Sequence, residues 1–171
     1  NYLQGLVYIT KGVTLTVQEG ATVKGKYSGS DVSALIICRG AKLIAKGTVD
    51  KPIVFTSASA NPQSGDWGGI VLCGTAPINT SFTVNGASIQ GLYQVEGGID
   101  NANGDGLAGS GDAAFPNANP ADNSGILQYV RIEFAGYDAK MSLSRFKLIR
   151  QCFSIRLIHR NRTDNDPLYC L

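Results

Sequence analysis

Apolar and polar residues alternate along much of the chain, in short stretches closed by glycine. "VTLTVQEGATV" (13–23), "SALIICRGAKL" (33–43), "IVLCGTAPI" (70–78) and "ILQYVRIEFAG" (126–136) all show the pattern. A period of two with many β-branched residues predicts strands, and the glycines predict turns. In the last stretch, Val130, Ile132 and Phe134 are expected on one face of a single strand.

The stretches also match one another. A shift of 20 residues carries Leu15 onto Leu35, Val17 onto Ile37, Gly20 onto Gly40, Ala21 onto Ala41 and Val23 onto Leu43. A shift of 35 carries Leu35 onto Ile70, Ile37 onto Leu72, Cys38 onto Cys73, Ala41 onto Ala76 and Leu43 onto Ile78. The longer shift leaves room for a loop at "SASANPQSGD" (57–66). No one stretch is long enough to bury its apolar face alone. Stacked at about 4.8 Å per layer, like residues fall on like and form an inner column. The pattern therefore predicts an all-β fold, a parallel β-solenoid. An antiparallel sandwich would explain the alternation but not the equal-register matches.

Composition supports this class. Glycine is frequent, at 21 of 171 residues, and charged residues are sparse at 16%. That balance suits a turn-rich β protein. No apolar run reaches the roughly 18 residues of a membrane-spanning helix. The chain begins abruptly at "NYLQGLVYIT" with no signal peptide visible, so it reads as a fragment or a processed form.

The net charge of +2 is unevenly placed. Residues 141–171 hold six basic and two acidic side chains, and residues 1–140 hold nine and eleven. The basic excess thus belongs to the tail, which argues against a nucleic-acid partner. Every glycine also precedes residue 141. Two organisational units follow: a β-helix domain over 1–140, with a loop insertion at about 84–124, and an atypical basic tail over 141–171. The tail reads as a frameshift, a truncation or an amphipathic cap. In the cap reading, Ser144 begins a helix with Phe146, Ile149 and Phe153 on one side.

Three separated motifs carry a family resemblance: "KGTVDKPIVFTS" (46–57), "GDWGGIVLCGTAPIN" (65–79) and "DNSGILQYVRIEFAGY" (122–137). In this order they resemble exported bacterial right-handed parallel β-helix proteins. Those proteins often carry a sorting domain for type IX secretion or a lipoprotein anchor. The resemblance covers roughly residues 3–139. It implies a right-handed parallel β-helix with a Gly/Asn-rich lateral loop and an extracellular or outer-surface location. It brings no catalytic signature.

Within these motifs, Gly47 and Pro52 are expected to bracket a corner, with Ile53 and Phe55 pointing inward. Trp67, beside Asp66 and two glycines, has two readings. Together with Asp66 it is a candidate sugar-stacking platform; alternatively its ring caps the core where a loop rejoins the coil. The four cysteines have no zinc spacing. If Cys38 and Cys73 stack in neighbouring coils, they are either a disulfide or two buried thiols.

The stretch "NANGDGLAGSGD" (101–112) resembles a calcium loop, with Asn101, Asn103, Asp105 and Asp112 as candidate ligands. With no flanking helices it is not an EF-hand, and a plain glycine and Asx-turn loop is the competing reading. Arg131 and Glu133 share a face, but no spacing pairs Glu133 with Asp66, Glu96 or Asp122 as a glycosidase would require. The single His159 lies in the tail, which disfavours a His-based triad.

The expected function is a secreted or cell-surface scaffold, an adhesin-like module without catalysis. Its expected partners are glycans or other surface proteins, and no cofactor is expected unless calcium binds the loop. A polysaccharide lyase or hydrolase and a calcium-stabilised structural module are the alternatives.

Overall fold

The structure, a computed structural model, describes residues 1–28 and 31–136. The predicted tail over 141–171, with Ser144, His159, Cys152 and Cys170, lies outside the described residues. Sixteen strands and no helix occur among those described. No helix there is long and apolar enough to cross a membrane.

A short strand β1 (Tyr2–Leu3) leads into a first coil of β2 (Leu6–Ile9), β3 (Thr14–Val17) and β4 (Thr22–Gly25). A small hairpin, β5 (Tyr27–Ser28) and β6 (Asp31–Val32), precedes the second coil. That coil comprises β7 (Ala34–Ile37), β8 (Lys42–Lys46) and β9 (Ile53–Ser57). The third coil starts with β10 (Gly69–Leu72) and is then interrupted. Two antiparallel hairpins intervene: β11 (Ser81–Val84) with β12 (Ala87–Gln90), and β13 (Leu92–Gln94) with β14 (Leu107–Gly109). The coil resumes at β15 (Gly125–Gln128) and β16 (Val130–Ile132).

Strands at the same place in each coil pair in parallel. The first sheet is β2–β7–β10, the second β3–β8–β15 and the third β1–β4–β9–β16. This is the predicted right-handed parallel β-helix. Each turn places one strand in each sheet, so alternate residues point into a shared interior. Val7, Leu35 and Ile70 form one inner column, and Ile9, Ile37 and Leu72 the next. Leu43, Ala45, Ile53 and Phe55 complete the middle layer and are buried. Residues 47–52 make the corner between β8 and β9, and Ile53 and Phe55 point inward as expected.

The two sequence shifts fare differently. The shift of 35 is the true stacking of β10 on β7: Leu35 pairs with Ile70 and Ile37 with Leu72. It holds through Cys73, whose N–H donates to the Ile37 carbonyl at 2.8 Å. It fails beyond, because the chain leaves the coil; Leu43 stacks under Gly125 rather than Ile78. The shift of 20 is not a coil repeat. Thr14 pairs with Lys42, and Gly12 donates to the Gly40 carbonyl at 3.0 Å. Gly12 and Gly40 are thus the same corner in successive coils, whereas Gly20 sits at the next corner. Each coil uses a strand–glycine–strand corner more than once, so a sequence match can join different corners.

The predicted single strand at 126–136 is two strands. Tyr129 adopts a φ of 49°, which breaks the alternation as the chain turns from the second sheet to the third. Val130 still packs against the core, but Ile132 and Phe134 are exposed.

Candidate functional site

The third sheet carries an open groove on its flank, with a volume of about 580 Å³. It is lined by Tyr2, Lys26, Tyr27, Ala58 and Ser59. Strand pairing positions these residues. Tyr2 pairs with Lys24, which turns Leu3 inward and leaves the Tyr2 ring 64% exposed. Tyr27, 54% exposed, follows as the coil ends and the β5–β6 hairpin begins. The Lys26 ammonium lies 5.7 Å from the Tyr2 ring centroid and donates to Gln4 Oε1 at 3.2 Å. Two exposed tyrosines beside a cation offer apolar contact and hydrogen bonding to one ligand.

Buried hydroxyls tie the backbone beside this groove. Ser33 Oγ, fully buried, donates to the Leu3 carbonyl at 3.0 Å and also reaches the Lys26 carbonyl. Ser57 Oγ accepts from the Ser59 N–H at 2.9 Å and contacts Asp66 Oδ2. The Ala58 N–H donates to the Gly25 carbonyl at 2.9 Å. Tyr2 and Tyr27 thus lie on strands, and Lys26, Ala58 and Ser59 on the segments just past β4 and β9.

Trp67 is not part of its surface. The indole is fully buried, and its Nε1 donates to the Glu133 carbonyl at 2.8 Å. Its atoms lie 2.8 Å from where a Cβ on Gly25 would stand. Only glycine allows this approach. A buried ring cannot stack on a sugar, so the platform predicted at Trp67 is corrected to a core support beside the groove. Asp66 is likewise a local staple: Oδ2 accepts from the Gln63 N–H at 3.1 Å as well as meeting Ser57. Arg131 and Glu133 form an exposed ion pair with each other.

Of the four candidate calcium ligands, Asn101, Asn103 and Asp105 lie together, tied to one another by hydrogen bonds, and Asp112 does not join them. Asn101 Oδ1 accepts from the Asn103 N–H at 2.9 Å, and Asn101 Nδ2 donates to Asp105 Oδ2 at 2.9 Å. Asp112 turns instead to Arg39, which donates to its two oxygens at 3.1 and 2.7 Å. Among the described residues no group of three acidic, His or Cys side chains is placed to hold a metal.

The Arg39–Asp112 pair is a buried clasp. Arg39 is 5% exposed, donates also to the Gly109 carbonyl at 3.3 Å, and lies 4.6 Å from the Phe115 ring centroid. Burial raises the Asp112 carboxyl, but the Arg39 hydrogen bond, the Phe115 N–H and the Arg39 charge outweigh it. The group is held below its ordinary value. The folded pKa is depressed, so the stabilisation is fully present above the ordinary carboxylate value near ~4 and is lost as pH falls through the folded one. Amide exchange over residues 109–115 is expected to accelerate in that acid window. Asp112→Asn is expected to remove this pH dependence.

Cys38 and Cys73 stand in neighbouring coils and are both free and buried. In-register strand neighbours project their side chains in parallel, about 4.8 Å apart, whereas a disulfide draws the Cβ atoms to about 3.8 Å. Burial pushes the Cys38 thiol up to about 11, aided by nearby Asp105, and the Cys73 thiol to about 12. The predicted disulfide alternative is thus replaced by two neutral thiols.

The groove residues Tyr2, Lys26 and Tyr27 belong to no motif that the sequence singles out. They are far from Ala58 and Ser59 along the chain and meet only through coil stacking. No curated protein and no solved structure matches the chain. The family model described as "Pectate-lyase like beta helix domain" matches residues 1–145. With three parallel sheets stacked in register and a match over most of its length, the chain belongs to the pectate-lyase-like β-helix domain family.

Proposed function

We propose that this protein is a secreted or cell-surface β-helix scaffold that contacts glycans through the Tyr2–Lys26–Tyr27 groove without cleaving them. The observation that carries this reading is the pair of exposed tyrosines beside a lysine on the flank of the third sheet. Tyrosine rings give contact area at little entropic cost, and the lysine adds a donor for hydroxyl or carboxylate oxygens. Membership of a family named for a pectate lyase supports a carbohydrate partner and an extracellular setting. Export by type IX secretion or a lipoprotein anchor is part of the same proposal and rests on the sequence motifs.

The competing reading is a polysaccharide lyase or hydrolase. A panel of neutral and acidic polysaccharides separates the two. The scaffold reading expects retention of at least one glycan with no release of reducing ends or unsaturated sugar. Sustained product release, abolished by Glu133→Gln or Asp66→Asn in folded protein, would favour the enzyme.

A further inference from the structure

The first sheet is apolar on both faces. Its inner face closes the solenoid core, which is complete with residues of the coils alone. Its outer face carries a second apolar column of Tyr8, Ile36 and Val71 in register, flanked by Ala34, Cys38 and Cys73. All four residues of β7 are buried as a result. The lateral excursion between β10 and β15 covers this face with Val95, Ile99 and Ala108.

The excursion is attached lightly. Among the described residues its four strands pair only with one another and join none of the three coil sheets. Its neck is fixed where it leaves and rejoins the coil. There Asp122 accepts from the Thr75 N–H at 3.0 Å and from Thr75 Oγ1 at 2.8 Å. The Gly109 N–H also donates to the Gly74 carbonyl at 2.8 Å. Farther out, the polar ties to the coils include Tyr8 Oη to the Ile99 carbonyl at 2.7 Å and the Arg39–Asp112 clasp. Phe115 adds cation–π contacts with Lys11 at 4.5 Å and Arg39.

We infer that the excursion is a hinged cover, latched by Arg39 and Asp112, whose lifting exposes an apolar patch bearing two adjacent thiols while the solenoid stays folded. A segment with no ladder to the main sheets, held by one small apolar cluster and scattered polar ties, opens at lower free energy than the core beneath it. Truncating one partner of the latch leaves the other charge buried and unpaired, which favours the open state. Cys38 and Cys73 lie under the same cover, so they become reactive together.

Iodoacetamide labelling of the full chain tests this, with peptide-resolved mass spectrometry to separate Cys38 and Cys73 from Cys152 and Cys170. Native-state hydrogen exchange of β8 and β9 amides reports opening of the core in parallel. The expected result is that both thiols label at one shared rate, at least tenfold faster than core opening permits. Asp112→Asn and Arg39→Gln are expected to raise that rate at least tenfold with core exchange changed far less. If the variants prove unstable, the wild-type comparison of thiol labelling with core exchange still decides. Labelling only at the rate of core opening would overturn the cover. So would immediate labelling, as of an exposed thiol, or rates for the two cysteines that differ tenfold.

Discussion

Trp67→Ala is expected to destabilise the protein by about 3–5 kcal/mol, the range for deleting a buried large aromatic. Several losses coincide at this position. The ring is fully buried against the inner core and fills the space that Gly25 leaves open. Its Nε1 satisfies the Glu133 carbonyl, and its backbone bridges in parallel to Ala135. Removing the indole leaves a cavity the strands cannot close, because their spacing is fixed by the ladders on either side. Trp67→Phe is expected to cost less, since it keeps a ring but leaves the carbonyl without its donor. Urea denaturation of the two variants measures both. A loss below about 1 kcal/mol for the alanine variant would place the ring outside the core.

Gly125→Ala is expected to cost more than about 3 kcal/mol, or to prevent folding, despite adding a single methyl group. Gly125 is where the excursion rejoins the second sheet, with a φ of 133° that L residues rarely adopt. An added Cβ would lie 2.7 Å from Leu43 C, 2.8 Å from Leu43 N and closer still to its carbonyl oxygen. These are backbone atoms of β8 in the middle coil, held on both sides, so they cannot give way. The inner column at this position runs Leu15, Leu43, Gly125. The expected alternative to unfolding is a third coil that fails to dock. Thermal melting and amide protection of β15 and β16 distinguish the two. A variant as stable as the parent would contradict this register.

The sequence carried the solenoid well because stacking in register is a long-range pattern that a shift can detect. Leu35 over Ile70 and Ile37 over Leu72 were legible since both are inward positions of one sheet. The false shift of 20 arose from the same cause, as corners within one coil share a glycine and flanking apolar residues. The cover was harder to see. Its apolar residues are few and scattered among Gly and Asn, as Val95, Ile99 and Ala108 show. A signal did exist: the unbroken apolar run Ala34–Cys38 marks a strand buried on both faces, where simple alternation would mark one.

The candidate site was less legible than the fold. Trp67 drew the sugar-binding expectation because aromatic residues beside glycine suit either a platform or a close-packed turn. Which of the two holds depends on what stacks above, in this fold Gly25. Asp112 looked like a metal ligand by position in the loop, but Arg39, remote in sequence, takes both of its oxygens. The groove combines β1, the junction of β4 and β5, and the residues just past β9, so no local motif could announce it.

Glycan binding on the flank of the third sheet, with Tyr2 and Tyr27 supplying the contact, is the central claim. Calorimetric titration with the best-retained glycan tests it most directly, comparing the parent with Tyr2→Ala/Tyr27→Ala. Affinity is predicted to fall roughly tenfold for each ring lost, about 1.4 kcal/mol apiece, with the fold and melting temperature preserved. Unchanged affinity in the folded double variant would contradict it.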